Sequence, residues 1–162
     1  MNVLSRRAVL TGCTSVIAAS VTGCLGKGID EWVINEILSV ASATQYQEPR
    51  CDCCSVYADY LQGHLDGDLQ VIVSNELTAV KEDFGIPSDL WSCHTVELDG
   101  YIVEGHMPVE VIATLLDEEP DIEGIALPGM PAGSPGMGGK KDETWRIYGI
   151  QTKEEPVVYA EI

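Results

Sequence analysis

The dipeptide Asp99–Gly100 lies at the centre of "SCHTVELDGYIVEGH", residues 92–106. Flanked by alternating apolar residues, it constrains the fold more than any other local feature, because it demands a hairpin with a two-residue turn. Such a turn pairs positions whose numbers sum to 199. Leu98 then faces Tyr101, Val96 faces Val103, and Cys93 faces His106. Directly opposite residues have Cβ atoms about 4.5–5.5 Å apart and share a face. The register therefore predicts a thiol beside an imidazole across two strands. It places His94 on the other face, with Val96 and Leu98, unless a bulge intervenes.

Upstream, "VASATQY" (40–46) reads as a strand closed by Pro49, and "SVYADYLQGHL" (55–65) as a helix with Tyr57, Tyr60, Leu61 and Leu65 near one face. "LQVIVSN" (69–75) is a short apolar run, the pattern of a buried parallel strand. Residues 40–75 thus form a predicted βαβ unit, with "CDCC" (51–54) at its first strand-to-helix turn. A second helix is expected over 76–85, and a third over 108–120 with Pro108 at its first helical position. "LPGMPAGSPGMGGKKDE" (127–143) is too rich in Gly and Pro for regular structure. Two short strands, "WRIYGIQ" and "PVVYAEI", close the chain, and a packing helix is expected around Trp32–Leu38. The predicted class is α/β (α+β): a βαβ unit, then a β-hairpin, then a helix.

The 162 residues suffice for one domain, and an apolar content of 45% suffices for a core. The net charge of −17 argues against nucleic acid, whose phosphates need the opposite sign. Abundant Asp and Glu with few Lys suit a surface hydrated in high salt, the expectation for a halophilic source.

The first residues read as an address. Arg6–Arg7 precede an apolar stretch from Ala8 to Val21, of signal-sequence length and short for a membrane span. The arginine pair resembles a twin-arginine export signal. The stretch ends in "VTGC", which resembles a lipobox, with Cys24 the lipidated residue. "LTGC" at Cys13 would leave too short an apolar region. The expected organisation is a signal peptide at 1–23, a tether at 24–39 and a domain at 40–162, held extracytoplasmically at the outer face of the cytoplasmic membrane by lipid alone.

Cys51, Cys53, Cys54 and Cys93 remain for the domain. Disulfides are the default outside the cytoplasm, and four cysteines allow three connectivities. Three of these, however, crowd one turn, where a bridge closes too small a loop to constrain the unfolded chain much. Cys51 and Cys54 form a C-x-x-C at a helix start, where exposed N–H groups favour thiolate, as in a thiol–disulfide oxidoreductase. Cys53 is surplus to such a dithiol. Soft-metal binding accommodates it, since thiolates select Cu(I), Zn or iron–sulfur clusters. A mononuclear zinc site usually shows two separated C-x-x-C pairs, which makes zinc the second choice. Adjacent cysteines more readily bridge neighbouring ions, which favours polynuclear Cu(I) thiolate chemistry. Cys93 and His106 can complete the site, with His94 and Met107 as further candidates; Met107 also suits the core, Met130 and Met137 suit either a lid over a copper site or, the preferred reading, burial that anchors their loop, and His64 reads as solvated. A Cys93–His106 nucleophile pair lacks any marked oxyanion hole, and "GMPAGSPGMGG" lacks the Lys of a phosphate-binding loop.

"CDCC", "IPSDLWSCHTVELDGYIVEGHMP" and "LPGMPAGSPGM" occur in that order between about Thr44 and Met137. Together they resemble the DUF411 family of metal-binding proteins, which includes the CopG-type copper-resistance proteins. The resemblance implies a thioredoxin-like fold and extracytoplasmic copper handling, with a copper donor or acceptor protein as partner. It carries over Cys51, Cys53, Cys54, Cys93, His94 and His106 as metal-site residues, and gives no role to Met130 or Met137. The reading is a lipid-anchored Cu(I)-binding protein in copper resistance or delivery. A thiol–disulfide or copper-coupled oxidoreductase is the alternative, and a disulfide-stapled partner-binding module a third.

Overall fold

The computed structural model describes residues 37–151 and 155–162. The leader, Cys24 and most of the tether lie outside these residues, as does most of the segment around Trp32; Leu38 makes an isolated parallel bridge to Leu65.

The first strand, β1 (Ala43–Gln47), leads into helix α1 (Asp52–Gln62) and then β2 (Leu69–Val73), which lies parallel to β1. This is the expected βαβ unit. The helix begins earlier than its apolar periodicity suggested. Cys51 is the N-cap residue, and Cys53 and Cys54 fall in the first turn. Strand β2 is not buried on both faces as its apolar run implied. It is the edge of the sheet, with Val71 44% and Val73 57% exposed.

Helix α2 (Leu77–Asp83) and a 3-10 turn (Ser88–Leu90) lead into β3 (His94–Leu98) and β4 (Tyr101–Glu104). Asp99 and Gly100 both have positive φ, 49° and 89°, the type I′ conformation that matches strand twist. The hairpin register is the one the turn demands: Leu98 pairs with Tyr101 and Val96 with Val103. Helix α3 (Val109–Glu118) follows, with Pro108 at its N-cap rather than inside the first turn, its ψ of 141° being extended.

Three more strands complete the sheet: β5 (Gly124–Ala126), β6 (Arg146–Ile150) and β7 (Val157–Glu161). The last two were expected. The three-residue β5 was hidden, too short to show a period. The mixed sheet runs β2-β1-β3-β4-β5-β6-β7. Its α/β class agrees with the sequence.

Strand alternation divides the core between the two faces of this sheet. On one, Val96, Leu98, Val103 and Ile125 pack with Tyr57 and Leu61 of α1 and Ile112 and Leu115 of α3. On the other, Ile102, Ala126 and Ile150 pack with Ile86 and Leu90 around α2 and the 3-10 turn. The cysteine motif, the start of β3 and the end of β4 meet at one end of the sheet.

Candidate metal centre

Cys51, which caps α1, is joined to Cys54 in a disulfide, with Cα atoms 5.3 Å apart. One turn of helix brings these positions together, as C-x-x-C spacing dictates. Cys53 and Cys93 are free thiols, both half-buried. Cys53 Sγ lies 3.6 Å from Cys51 Sγ and 3.9 Å from Cys93 Sγ, and so bridges the two segments. Cys54 is wholly buried, its sulfur 3.4 Å from the Cys93 carbonyl oxygen.

Cys93 and His106 sit one step beyond the paired ends of β3 and β4. Their side chains meet as the register required, with Cys93 Sγ 3.1 Å from His106 Nε2. The expectation for His94 was different. Its ring was to point away from this pair, yet it lies 4.8 Å from the His106 ring, and His94 Nδ1 is 3.4 Å from Cys93 Sγ. His94 does share a face with Val96 and Leu98, the face covered by α1. The departure is at Gly105, whose φ of +85° breaks the alternation and swings His106 onto that same face. Only glycine fits there, since a Cβ would stand 2.6 Å from the Leu127 carbonyl oxygen.

Tyr57 underlies both imidazoles, with ring centroids 4.5 Å from His94 and 5.4 Å from His106. Its hydroxyl donates to the Met107 carbonyl at 2.9 Å. His106 Nδ1 is 2.6 Å from the Pro135 carbonyl oxygen, to which it must donate. That bond places the proton on Nδ1 and turns the Nε2 lone pair toward Cys93, the orientation a ligand histidine needs. The Gly/Pro-rich loop is thus a wall of the site. Gly136 packs so closely that a Cβ would lie 3.2 Å from His106 Nδ1 and from the Cys53 carbonyl oxygen.

Burial favours neutral imidazoles. His94 is held well below the ordinary histidine range by burial first, and then by His106 and Lys81. His106 is lowered by burial, against the opposing effect of its bond to Pro135. The Cys93 thiol is pushed up to about 12, first by burial and then by neighbouring Cys53. A soft cation placed among these groups would replace the proton on Cys93 and supply the charge that the thiolates lack.

The donor atoms fall into two sets. The sulfurs of Cys51, Cys53, Cys54 and Cys93 lie within 4.8 Å of one another, and so do the donor atoms of Cys93, His94 and His106. Cys93 belongs to both. Four sulfurs and two imidazoles form a soft set that could bind a metal, on condition that Cys51–Cys54 is reduced, since a disulfide offers no thiolate.

The other candidates differ in burial. Met107 is fully buried in the core cluster. Met137 is half-buried, whereas Met130, expected to be buried, is 39% exposed. His64 is half-buried and not simply solvated, with Nδ1 2.8 Å from the Tyr60 carbonyl oxygen. Sequence reasoning overlooked Tyr57 as a site residue, although its spacing from Cys54 puts it one turn along the same helical face. It also overlooked the Pro135 carbonyl, which carries no local signal.

A family model described as "Protein of unknown function, DUF411" matches residues 90–137. Two solved structures titled "Copper resistance protein copG", Form 2 and Form 1, are similar over most of the chain. Each is 33% identical with a TM-score of 0.67 and covers 78% of this chain; the matches span 99% and 98% of those proteins. No curated protein matches the chain.

Proposed function

The chain belongs to the DUF411/CopG-like family, and from that premise we propose that it is a copper-binding protein of copper resistance or delivery. The observation that carries the reading is the convergence of three further sulfurs and two neutral imidazoles around Cys93. Thiolate and neutral imidazole match the preference of Cu(I), and zinc is the harder competitor. Cu(I) is cargo in this reading: it enters as the thiols of Cys51, Cys53, Cys54 and Cys93 lose protons, with His106 and His94 adding nitrogen donors. The copper-resistance titles of the related structures support copper over zinc.

The setting is part of the proposal. Arg6–Arg7, the apolar stretch and "VTGC" ending at Cys24 support export and a lipid anchor at the outer face of the cytoplasmic membrane. There the partner would be a protein that gives or accepts copper.

The test is metal analysis of reduced, anaerobically purified protein offered Cu(I) and Zn(II) together. Retained copper in excess of zinc supports the reading. Trace copper with unchanged thiol reactivity overturns it.

The Cys51–Cys54 disulfide beside free Cys53 favours a second reading, a thiol–disulfide oxidoreductase. Two thiols of a substrate would be oxidised to a disulfide as Cys51–Cys54 is reduced to two thiols. Turnover should then vanish in Cys51→Ser and Cys54→Ser while surviving in His106→Ala. No turnover by the wild type would dismiss it.

A further inference from the structure

Behind the cysteines, on the α2 face of the sheet, three polar side chains are buried together. Lys81 of α2 is 3% exposed, and Thr95 of β3 and Glu104 of β4 are fully buried. Lys81 Nζ donates to Glu104 Oε1 and, at 2.9 Å, to Thr95 Oγ1. Thr95 Oγ1 donates to Glu104 Oε2 at 2.6 Å. Glu104 Oε1 also accepts the backbone N–H of Ser92.

A buried ion pair is poor evidence of stabilisation, because desolvating both charges offsets most of their attraction. Its placement here is more informative. The chain has only 9 Lys and Arg against 26 acids, yet one lysine is withdrawn from the surface to serve this carboxylate. Three of the bonds join the side chains to one another. The fourth runs to Ser92, immediately before Cys93. Glu104 itself stands two residues before His106 and pairs with Thr95 in the hairpin. One carboxylate therefore ties the Cys93 segment to the strand that delivers His106. Lys81 and Ser92 also line a 190 Å³ pocket that opens onto Cys51 and Cys93.

We infer that Glu104, braced by Lys81 and Thr95, is the positioning residue of the site: its bond to the Ser92 amide holds Cys93 Sγ against His106 Nε2. The inference rests on the reading of Cys93 and His106 as ligands. Without the bond the Ser92–Cys93 segment, which lies outside the strand pairing, loses its hydrogen bond to β4.

The decisive comparison is between two replacements of the network in the reduced full-length chain. Lys81→Met/Thr95→Val/Glu104→Leu removes every polar group and leaves Ser92 N–H without its acceptor. Lys81→Met/Glu104→Gln removes the charges but keeps an amide oxygen for that N–H. Three readouts apply: copper retained against a Cu(I) chelator, the copper–thiolate absorption band, and the iodoacetamide alkylation rate of Cys93 in metal-free protein, followed by peptide mass. The apolar triple variant should lose roughly tenfold or more in retention, the size of other losses of support behind metal ligands, with an altered band and faster alkylation. The Gln variant should stay within about threefold of wild type. Wild-type retention and alkylation in the triple variant, or equal loss in both, would overturn the inference. If the triple variant does not fold, Glu104→Asp decides: it keeps the charge but withdraws the carboxylate by one methylene, and wild-type behaviour there refutes the role. If the wild type itself binds no copper, the ligand reading fails, while the alkylation contrast still tests the positioning.

Discussion

Cys93 Sγ stands 3.1 Å from His106 Nε2, and the same sulfur is 3.9 Å from Cys53 Sγ. This atom links the thiol half of the site to the imidazole half. Because it is shared, removing it should be worse than removing either His. Cys93→Ser is expected to abolish stable copper retention by reduced protein. His106→Ala should weaken retention by about tenfold or more, in the range that metal-site losses span. Chelator competition measures both, and equal retention in all three proteins would refute the shared-ligand arrangement.

The oxidised form should be a poor copper binder. With Cys51–Cys54 closed, only Cys53 and Cys93 remain as thiols in the described domain. Mass-mapped alkylation should label those two without reductant, and Cys51 and Cys54 only after reduction. Copper retention should rise in parallel with that reduction. Retention that ignores the disulfide would show that Cys51 and Cys54 are not ligands.

Acid should destabilise the metal-free protein. His94 and His106 both have folded pKa values below the ordinary 6.5. As the pH falls below that value, the unfolded chain takes up protons that the folded one resists. Stability then declines, by up to about 1.4 kcal/mol per pH unit for the fully buried His94, with His106 adding to the decline in the same direction. Above it, both states leave these groups neutral and the histidine-dependent slope vanishes. Urea unfolding at several pH values between 7.5 and 5.5 should show the decline, and His94→Gln should make it shallower. An unchanged slope in that variant would count against burial of a neutral His94.

Gly136→Ala probes the loop. Gly136 has φ +79°, and a Cβ there would stand 3.0 Å from the Tyr57 amide nitrogen and 3.2 Å from His106 Nδ1. Strain of this kind costs about 1–3 kcal/mol. The variant should unfold at lower denaturant and also retain less copper, because the same contact displaces the ring held by Pro135. Ala132, exposed in the same loop, gives the control: Ala132→Ser should change neither.

Much of this was open to reading along the chain, for reasons that differ by element. Asp99–Gly100 determined the hairpin and its register, because a two-residue turn leaves no freedom to slip, and so it brought together the ends of β3 and β4, just beyond which Cys93 and His106 meet. Period and spacing likewise revealed the βαβ unit and placed the cysteines at the start of α1. The sheet edge was not legible, since a run such as "LQVIV" is apolar whether one neighbour strand flanks it or two. Nor was β5, three residues without a period.

The sequence by itself pointed to the candidate donors and to the meeting of Cys93 with His106, because both readings depend on side-chain chemistry and short-range geometry. Only the tertiary structure decided how the donors are oriented. Gly105 turns His106 toward His94, Pro135 fixes its proton from 29 residues away, and Lys81 reaches Glu104 across 23. Those contacts join segments remote in sequence, and they exist only once the sheet has brought its ends together.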